Sequence, residues 1–289
     1  MLIATLAADG RLSPGDLATA SDAIRMAGGV PGMVTWLDAG EAADLAFAGL
    51  TAPLARAALE AALQQVDVIV QPAAAPRRKA LLIADMDSTL IQCECIDELA
   101  DYAGIKPQVA AITAAAMRGE LDFTAALDAR VALLAGMDVA VLDRCRAERV
   151  RLMPGAATLV ATMRASGART ILVSGGFTAF ANPVGAELGF DRVVANTLLS
   201  ENGRLSGSVA RPVVDGATKR AELVAADVAL EHTLAVGDGA NDIPMLNAAG
   251  LGIAYHAKSA AAAAADAAVR VGDLTVLLWA QGYPRSEWI

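Results

Sequence analysis

The segment 82–90 carries the residues best suited to chemistry, because an apolar run ends there in two carboxylates one residue apart. These carboxylates are Asp85 and Asp87, and a serine and a threonine follow them directly. A buried strand that ends at Ala84 would place Asp85 at its carboxyl end, the edge where open α/β sheets bind ligands. Two carboxylates there can provide a nucleophile with an acid/base partner, and they attract a hard cation. Taken alone, such a pair is more often a polar turn.

Three further segments place polar residues and glycines where strands or helices are expected to begin or end. Ser174 and Gly175 follow an apolar strand, and glycines there let backbone N–H groups approach an anion. Lys219 opens a predicted helix, where the helix dipole mildly disfavours a cation and a phosphate partner would explain the placement. Each of these features alone is more often structural. A last group lies among glycines after another apolar strand and offers hard oxygen ligands: Asp238, Asn241 and Asp242.

The composition limits the class of protein. The chain has 289 residues, of which 55% are hydrophobic and 4% aromatic, so the core should be built from alanine, leucine and valine. The net charge of −9 argues against nucleic acid or an anionic membrane surface as a partner. Two carboxylates about 4 Å from a phosphate would each be repelled by roughly 4 kcal/mol per charge pair at an effective dielectric near 20. A divalent cation is therefore expected if the substrate is a phosphate.

The cysteines and the first residues favour a reduced, soluble, cytoplasmic protein. The three cysteines are an odd number without CxxC spacing, which is typical of neither a disulfide framework nor a zinc ribbon. The start lacks the basic and apolar regions of a signal peptide. The alanine run at 260–265 is too short to span a bilayer and is expected to be a helix.

Residues 1–72 have the pattern of a separate small domain, and residues 73–79 that of a linker. Helices are predicted to begin at Ser13 and Thr51, and strands at 2–7, 32–37, 42–48 and 66–70. This β-α-β-β-α-β order is the ferredoxin-like pattern, and it resembles ACT-type regulatory modules in topology alone. The alternative, that residues 1–78 extend the main domain, stays open.

From residue 80 onward the sequence predicts an α/β fold with a doubly wound parallel sheet and helices on both faces. Residues 97–150 contain helix-like segments without a convincing strand, which predicts a helical cap inserted after the first strand. Asn202-Gly203 predicts a hairpin. The buried-type strands are expected at 81–84, 169–173, 192–195, 233–236 and 251–254.

The four motifs, in this order and over residues 80–289, resemble those of the haloacid-dehalogenase-like phosphatases, with their Rossmann-type core. The resemblance implies that Asp85 is the nucleophile and forms an aspartyl-phosphate. Asp87 would protonate the leaving group and later activate water. Mg²⁺ would be held by the Asp85 and Asp238 carboxylates and the Asp87 backbone carbonyl, with Asp242 supporting them. The remaining residues implied at the phosphate are Ser174, Gly175, Lys219 and Asn241.

A second set of residues narrows the resemblance to the phosphoserine phosphatases of that family. Glu94 lies nine residues after the expected nucleophile, and Met117, Phe123 and Arg130 lie in the expected cap. By this resemblance Glu94 would bind a substrate ammonium and Arg130 a carboxylate, while Met117 and Phe123 would help to close the pocket. The implied reaction is hydrolysis of O-phospho-L-serine to L-serine and phosphate, the last step of serine biosynthesis.

Two other functions stay open. A phosphotransferase of the same family would pass the phosphate from the aspartyl intermediate to an acceptor such as homoserine. A regulatory amino-acid-binding protein, led by residues 1–72, would bind serine without hydrolysing a phosphate ester. A homodimer is compatible with the sequence, which does not determine the oligomeric state.

Overall fold

The computed structural model describes the backbone of all 289 residues and every side chain except that of Met117. The strands are β1 (Leu2–Ala7), β2 (Val30–Asp38), β3 (Ala42–Ala48), β4 (Asp67–Pro72), β5 (Leu81–Ala84), β6 (Arg169–Phe177), β7 (Arg192–Asn196), β8 (Leu198–Glu201), β9 (Arg204–Val209), β10 (Thr233–Gly237), β11 (Leu251–Tyr255) and β12 (Ala267–Val269). The α-helices are α1 (Pro14–Met26), α2 (Ala52–Ala62), α3 (Cys95–Tyr102), α4 (Lys106–Met117), α5 (Phe123–Ala132), α6 (Ala140–Arg149), α7 (Ala156–Ala165), α8 (Thr178–Leu188), α9 (Gly216–Ala225), α10 (Ile243–Leu246), α11 (Ser259–Ala264) and α12 (Val276–Ala280).

A parallel sheet forms the core of the C-terminal part of the chain, residues 80–289, and confirms the predicted fold class. Strands β12, β11, β10, β5, β6 and β7 lie side by side, and each neighbouring pair is parallel. Along β5, Leu82 and Ala84 pack in one hydrophobic cluster, whereas Leu81 and Ile83 pack in another. Side chains of a strand alternate between its faces, so β5 is covered on both sides, as expected of a parallel strand.

The insert between β5 and α7 is helical, as predicted, and consists of α3 to α6. The β8–β9 hairpin packs beside it, since Gly136 N donates to the Leu205 carbonyl at 2.8 Å. Asn202 and Gly203 at the tip of the hairpin have φ values of 51° and 77°, which suits the predicted Asn-Gly turn. Among the described residues, no helix has both the length and the apolar character that a membrane crossing needs.

The N-terminal part, residues 1–72, has the predicted β-α-β-β-α-β order, with its own hydrophobic cluster drawn from residues 4–70. Helix α1 begins with a capping box, in which Asp16 N donates to Ser13 Oγ and Ser13 N donates to the Asp16 carboxylate. Helix α2 begins at Ala52, directly after the predicted start at Thr51. The strands of this part belong to the same sheet as those of the rest of the chain.

Strands β4 and β12 form the junction between the two parts and pair antiparallel at Val68 and Ala268. This pairing joins all the strands except β8 and β9 into one ten-stranded sheet. Strand β12 has only three residues, and the sequence did not predict it. Asp67 is 2% exposed, and its carboxylate accepts backbone N–H bonds from Arg270 at 2.6 Å and Gly272 at 2.7 Å. The two parts are thus connected by hydrogen bonds to a buried carboxylate as well as by strand pairing.

We expect Asp67→Ala to lower the free energy of unfolding by roughly 2–4 kcal/mol, because the backbone N–H donors of residues 270–272 lose their buried acceptor. Denaturant unfolding followed by circular dichroism measures the loss. Asp9→Ala, at an exposed position of the same N-terminal part, is the matched control. Equal stabilities of the two variants would contradict a stabilising role for the Asp67 hydrogen bonds.

Candidate active site

Asp85 begins the segment that leaves the sheet. Strand β5 ends at Ala84, and Asp85 N still donates to the Val236 carbonyl of β10 at 3.0 Å, which fixes its backbone. The Asp85 side chain is buried, and Met86 N donates to its Oδ1 at 2.7 Å. The chain then turns, with Ser88 at a φ of 56°, and brings Asp87 into the same cavity.

The cavity lies between the strand ends and the helical insert and has a volume of about 570 Å³. It collects most of the residues that the sequence singled out. Lys219 and Asp242 lie beneath its wall, both fully buried. Met117 ends α4, and its side chain is outside the described residues. The predicted residues that line the cavity are Asp85, Asp87, Glu94, Phe123, Arg130, Ser174, Gly175, Asp238 and Asn241.

Lys219 is the buried cation of the site. Its Nζ lies 2.7 Å from Asp85 Oδ1 and 2.7 Å from Asp242 Oδ1. Burial alone would lower the pKa of Lys219, but the two carboxylates raise it above its ordinary value. The sequence suggested an anion beside this lysine, and the structure supplies carboxylates. Lys219 therefore stays charged and neutralises part of the acidic cluster.

Asp242 orients the loop that follows β10. Its Oδ2 accepts the backbone N–H groups of Asp238 at 3.1 Å and Gly239 at 2.9 Å, while Oδ1 accepts from Lys219. Both of its oxygens are thus engaged. This arrangement holds Asp238 at the cavity wall.

Three buried carboxylates form a group that suits a hard cation. One oxygen from each of Asp85, Asp238 and Asp242 lies within 4.8 Å of the others. Burial, reinforced by Asp242, raises the pKa of Asp238 to about 7, and burial and Asp242 also raise that of Asp85 well above its usual range. A divalent cation among these oxygens would relieve the repulsion, and oxygen is the ligand that Mg²⁺ and Ca²⁺ prefer. Because the Asp242 oxygens are engaged, Asp85 and Asp238 are the better ligands.

Close packing around Asp87 explains the glycine at 176. Strand β6 runs on to Phe177, past its expected end at residue 173, with an irregular register after Ser174, so the glycines lie within the end of the strand. Gly176 N donates to Ser174 Oγ at 2.9 Å, and a Cβ at Gly176 would lie 2.5 Å from Asp87 Oδ2. Burial, together with the charge of Glu94, raises the pKa of Asp87 to about 7. The Asp87 carboxyl is therefore able to hold a proton near neutral pH.

Glu94 and Arg130 add one negative and one positive charge to the lining of the same cavity. Glu94 stands directly before α3, and its Oε1 accepts from Ser88 Oγ at 2.8 Å. Arg130 Nε donates to the Ala126 carbonyl at 3.1 Å. This bond does not involve the two terminal nitrogens of the guanidinium, which can donate to a ligand. Burial lowers the pKa of Arg130, against the opposing effect of nearby carboxylates. A carboxylate and a guanidinium thus face one cavity.

The cavity also contains residues that the sequence analysis missed. Asp97 lines it three residues after Glu94, a spacing that places both on one side of a helix. Lys258 lines it shortly after β11, and the rule that ligand-binding residues follow parallel strands would have found it. The wall is completed by Ile96, Thr113, Leu121, Leu127 and Pro244, among others.

We expect Lys219→Met to lower the free energy of unfolding by about 3–5 kcal/mol, because it leaves two buried carboxylates without their cation. Denaturant unfolding in metal-free buffer measures the change. Lys106→Met, at an exposed helix start, removes an equal charge and should change the stability little. An unaltered unfolding midpoint in Lys219→Met would contradict the neutralising role of this lysine.

Comparison with curated proteins places the chain in a known family. Residues 82–247 match the model of the haloacid dehalogenase-like hydrolases. The phosphoserine phosphatase of Streptomyces coelicolor is 49% identical over 85% of this chain, which spans 62% of that protein's length. The phosphoserine phosphatase of Albidiferax ferrireducens is 46% identical over 73% of this chain and 94% of its own length.

Solved structures agree with this placement. A hydrolase of the same family from Salmonella enterica matches 99% of this chain and all of its own, with a TM-score of 0.84 and 28% identity. A probable phosphoserine phosphatase from Vibrio cholerae matches 99% of this chain and 88% of its own, with a TM-score of 0.77 and 35% identity. The chain belongs to the haloacid dehalogenase-like hydrolase family, and within it to the group of the phosphoserine phosphatases.

Proposed function

We propose that this protein hydrolyses O-phospho-L-serine to L-serine and inorganic phosphate with the help of Mg²⁺, the last step of serine biosynthesis. One observation carries the proposal: a single cavity is lined by Asp85 and Asp87, which follow β5, and by Glu94 and Arg130, which come from the start of α3 and from α5. Phosphoserine has a matching distribution of charge, with a phosphate at one end and an ammonium and a carboxylate at the other. A guanidinium can bind a carboxylate through two parallel hydrogen bonds.

The first step transfers the phosphoryl group to the enzyme. A carboxylate oxygen of Asp85 attacks phosphorus and forms the aspartyl-phosphate, while the bond between phosphorus and the serine oxygen breaks. Asp87 gives its proton to that oxygen, so that L-serine leaves as a neutral alcohol. The Asp87 carboxyl is suited to this role because its buried position favours the protonated form.

The second step releases phosphate. Asp87, now a carboxylate, takes a proton from a water molecule, and the water oxygen attacks phosphorus while the bond to Asp85 breaks. The phosphoryl oxygens are held by the Ser174 hydroxyl, the Gly175 backbone N–H and Lys219, with Asn241 beside them. The overall reaction consumes one water and restores both aspartates.

The metal ligands follow from the acidic cluster. Mg²⁺ would be held by the carboxylates of Asp85 and Asp238 and the backbone carbonyl of Asp87, with Asp242 orienting the Asp238 loop. When bound, the ion neutralises the charge that builds up on the phosphoryl group.

The proposal extends to the organisation of the chain. Residues 80–289 form the catalytic unit, with 97–150 as the cap that carries Phe123 and Arg130 and includes Met117. Residues 1–72 form an ACT-like module, and 73–79 its linker. The reaction takes place in the cytoplasm, and the three unpaired cysteines support this location. A homodimer stays a prediction.

We expect phosphate release from phosphoserine in the presence of Mg²⁺, little release after chelation, and much slower release from p-nitrophenyl phosphate and glycerol phosphate. Asp85→Asn should lose activity by a factor of about 10⁴ or more and form no hydroxylamine-sensitive phosphoenzyme, because its nucleophile is gone. Full activity of Asp85→Asn would rule out the covalent step. A fall in free phosphate on addition of homoserine would instead indicate a phosphotransferase.

We expect Arg130→Ala to lower kcat/KM for phosphoserine by about 100-fold, because a charge-assisted, bidentate contact to the substrate carboxylate is lost. The value for p-nitrophenyl phosphate, which has no carboxylate, should change little. Arg118→Ala is the control, since this exposed arginine of the same insert pairs with Glu120 instead. Equal losses on the two substrates would refute the carboxylate contact.

A further inference from the structure

Lys258 stands at the edge of the cavity, and its backbone is fixed there. The turn after β11 contains His256 with a φ of 42°; His256 N donates to the Val269 carbonyl, and its Nε2 bonds the Gly272 carbonyl at 3.0 Å. Two residues later, Lys258 N donates to the Asp238 carbonyl at 3.1 Å. The turn therefore directs this lysine toward the end of β10.

The charges along the cavity wall show why a cation at this place matters. Among the described lining residues, six carry carboxylates and two carry cations, Arg130 and Lys258. Lys219, below the wall, is shared between Asp85 and Asp242. Since Arg130 belongs to the helical insert, Lys258 is the lining cation on the side of the strand ends. A phosphate dianion that enters this acidic cavity needs positive charge at that side.

The ammonium of Lys258 lies beside Asp238 but is weakly held. Its Nζ lies 3.9 Å from Asp238 Oδ2, too far for a hydrogen bond, and its side chain is 60% exposed. Asp238 in turn contributes an oxygen within 4.8 Å of an Asp85 oxygen. Lys258 and Asp85 are thus both neighbours of Asp238, and the four-carbon stem of the lysine is flexible.

We propose that Lys258 binds a non-bridging oxygen of the substrate phosphate and of the phosphate product, leaving its loose contact with Asp238 to do so. This inference rests on the proposed function, because it assigns Lys258 to the phosphate end of the same site. It makes Lys258 a substrate-binding residue that captures phosphate esters regardless of the leaving group. Arg130, in contrast, distinguishes esters by their carboxylate.

The test measures binding of inorganic phosphate by titration calorimetry at saturating Mg²⁺, which does not depend on turnover. Lys258→Met should weaken phosphate binding about tenfold, because a charge-assisted hydrogen bond is lost, whereas Lys258→Arg should stay within about twofold of the wild type. Lys106→Met, an exposed lysine outside the cavity lining, should bind phosphate as the wild type does. KM should rise by a similar factor for phosphoserine and for p-nitrophenyl phosphate, with a small change in kcat.

Two results would overturn the assignment. One is a phosphate affinity of Lys258→Met equal to that of the wild type, with only the Mg²⁺ affinity changed, as expected if Lys258 did no more than pair with Asp238. The other is an effect on phosphoserine alone. If the wild type failed to hydrolyse phosphoserine but its phosphate binding still depended on Lys258, the proposed substrate would be wrong and the phosphate contact supported.

Discussion

The site depends on the ion pairs that the buried Lys219 ammonium forms with Asp85 and Asp242. The parallel register of β5 and β10 pairs Ala84 with Val236 and so brings their acidic continuations to one edge of the sheet. Carboxylates gathered at this distance in a buried place would repel one another strongly. One buried ammonium offsets part of that repulsion and leaves an excess of negative charge. An affinity of the cluster for a metal ion would therefore come from this incomplete neutralisation.

Under the proposed function, the residues that line the cavity have two tasks. Contacts at the strand ends would bind the phosphate, which all candidate substrates share, and would so govern capture. Glu94 and Arg130 would bind the ammonium and the carboxylate of an amino acid, and would so govern the choice of substrate. Because the two sets lie on different elements of the fold, the helical insert can change specificity without moving the strand ends that perform the chemistry.

The sequence predicts the strand ends well and the long-range contacts poorly. Apolar runs that stop at Asp85, Ser174 and Asp238 mark the sheet edge, and the Asn202-Gly203 turn and the Ser13 cap are local signals that the structure confirms. The pairing of β4 with β12 has no such signal, because three residues of an alanine-rich segment resemble the end of a helix. The carboxylate partners of Lys219 are likewise set by tertiary packing. The roles of the site residues stay predictions.

The junction with the N-terminal part, residues 1–72, reaches the site through few bonds. Gly272 N donates to the Asp67 carboxylate, the Gly272 carbonyl accepts from His256, and His256 precedes Lys258 by two residues. A displacement of the N-terminal part would therefore move the turn that carries a cavity cation. Such a link transmits regulation only where a ligand binds one arrangement of the two parts more tightly than another. Because β4 and β12 join the two parts in one sheet, such a ligand would have to alter this junction.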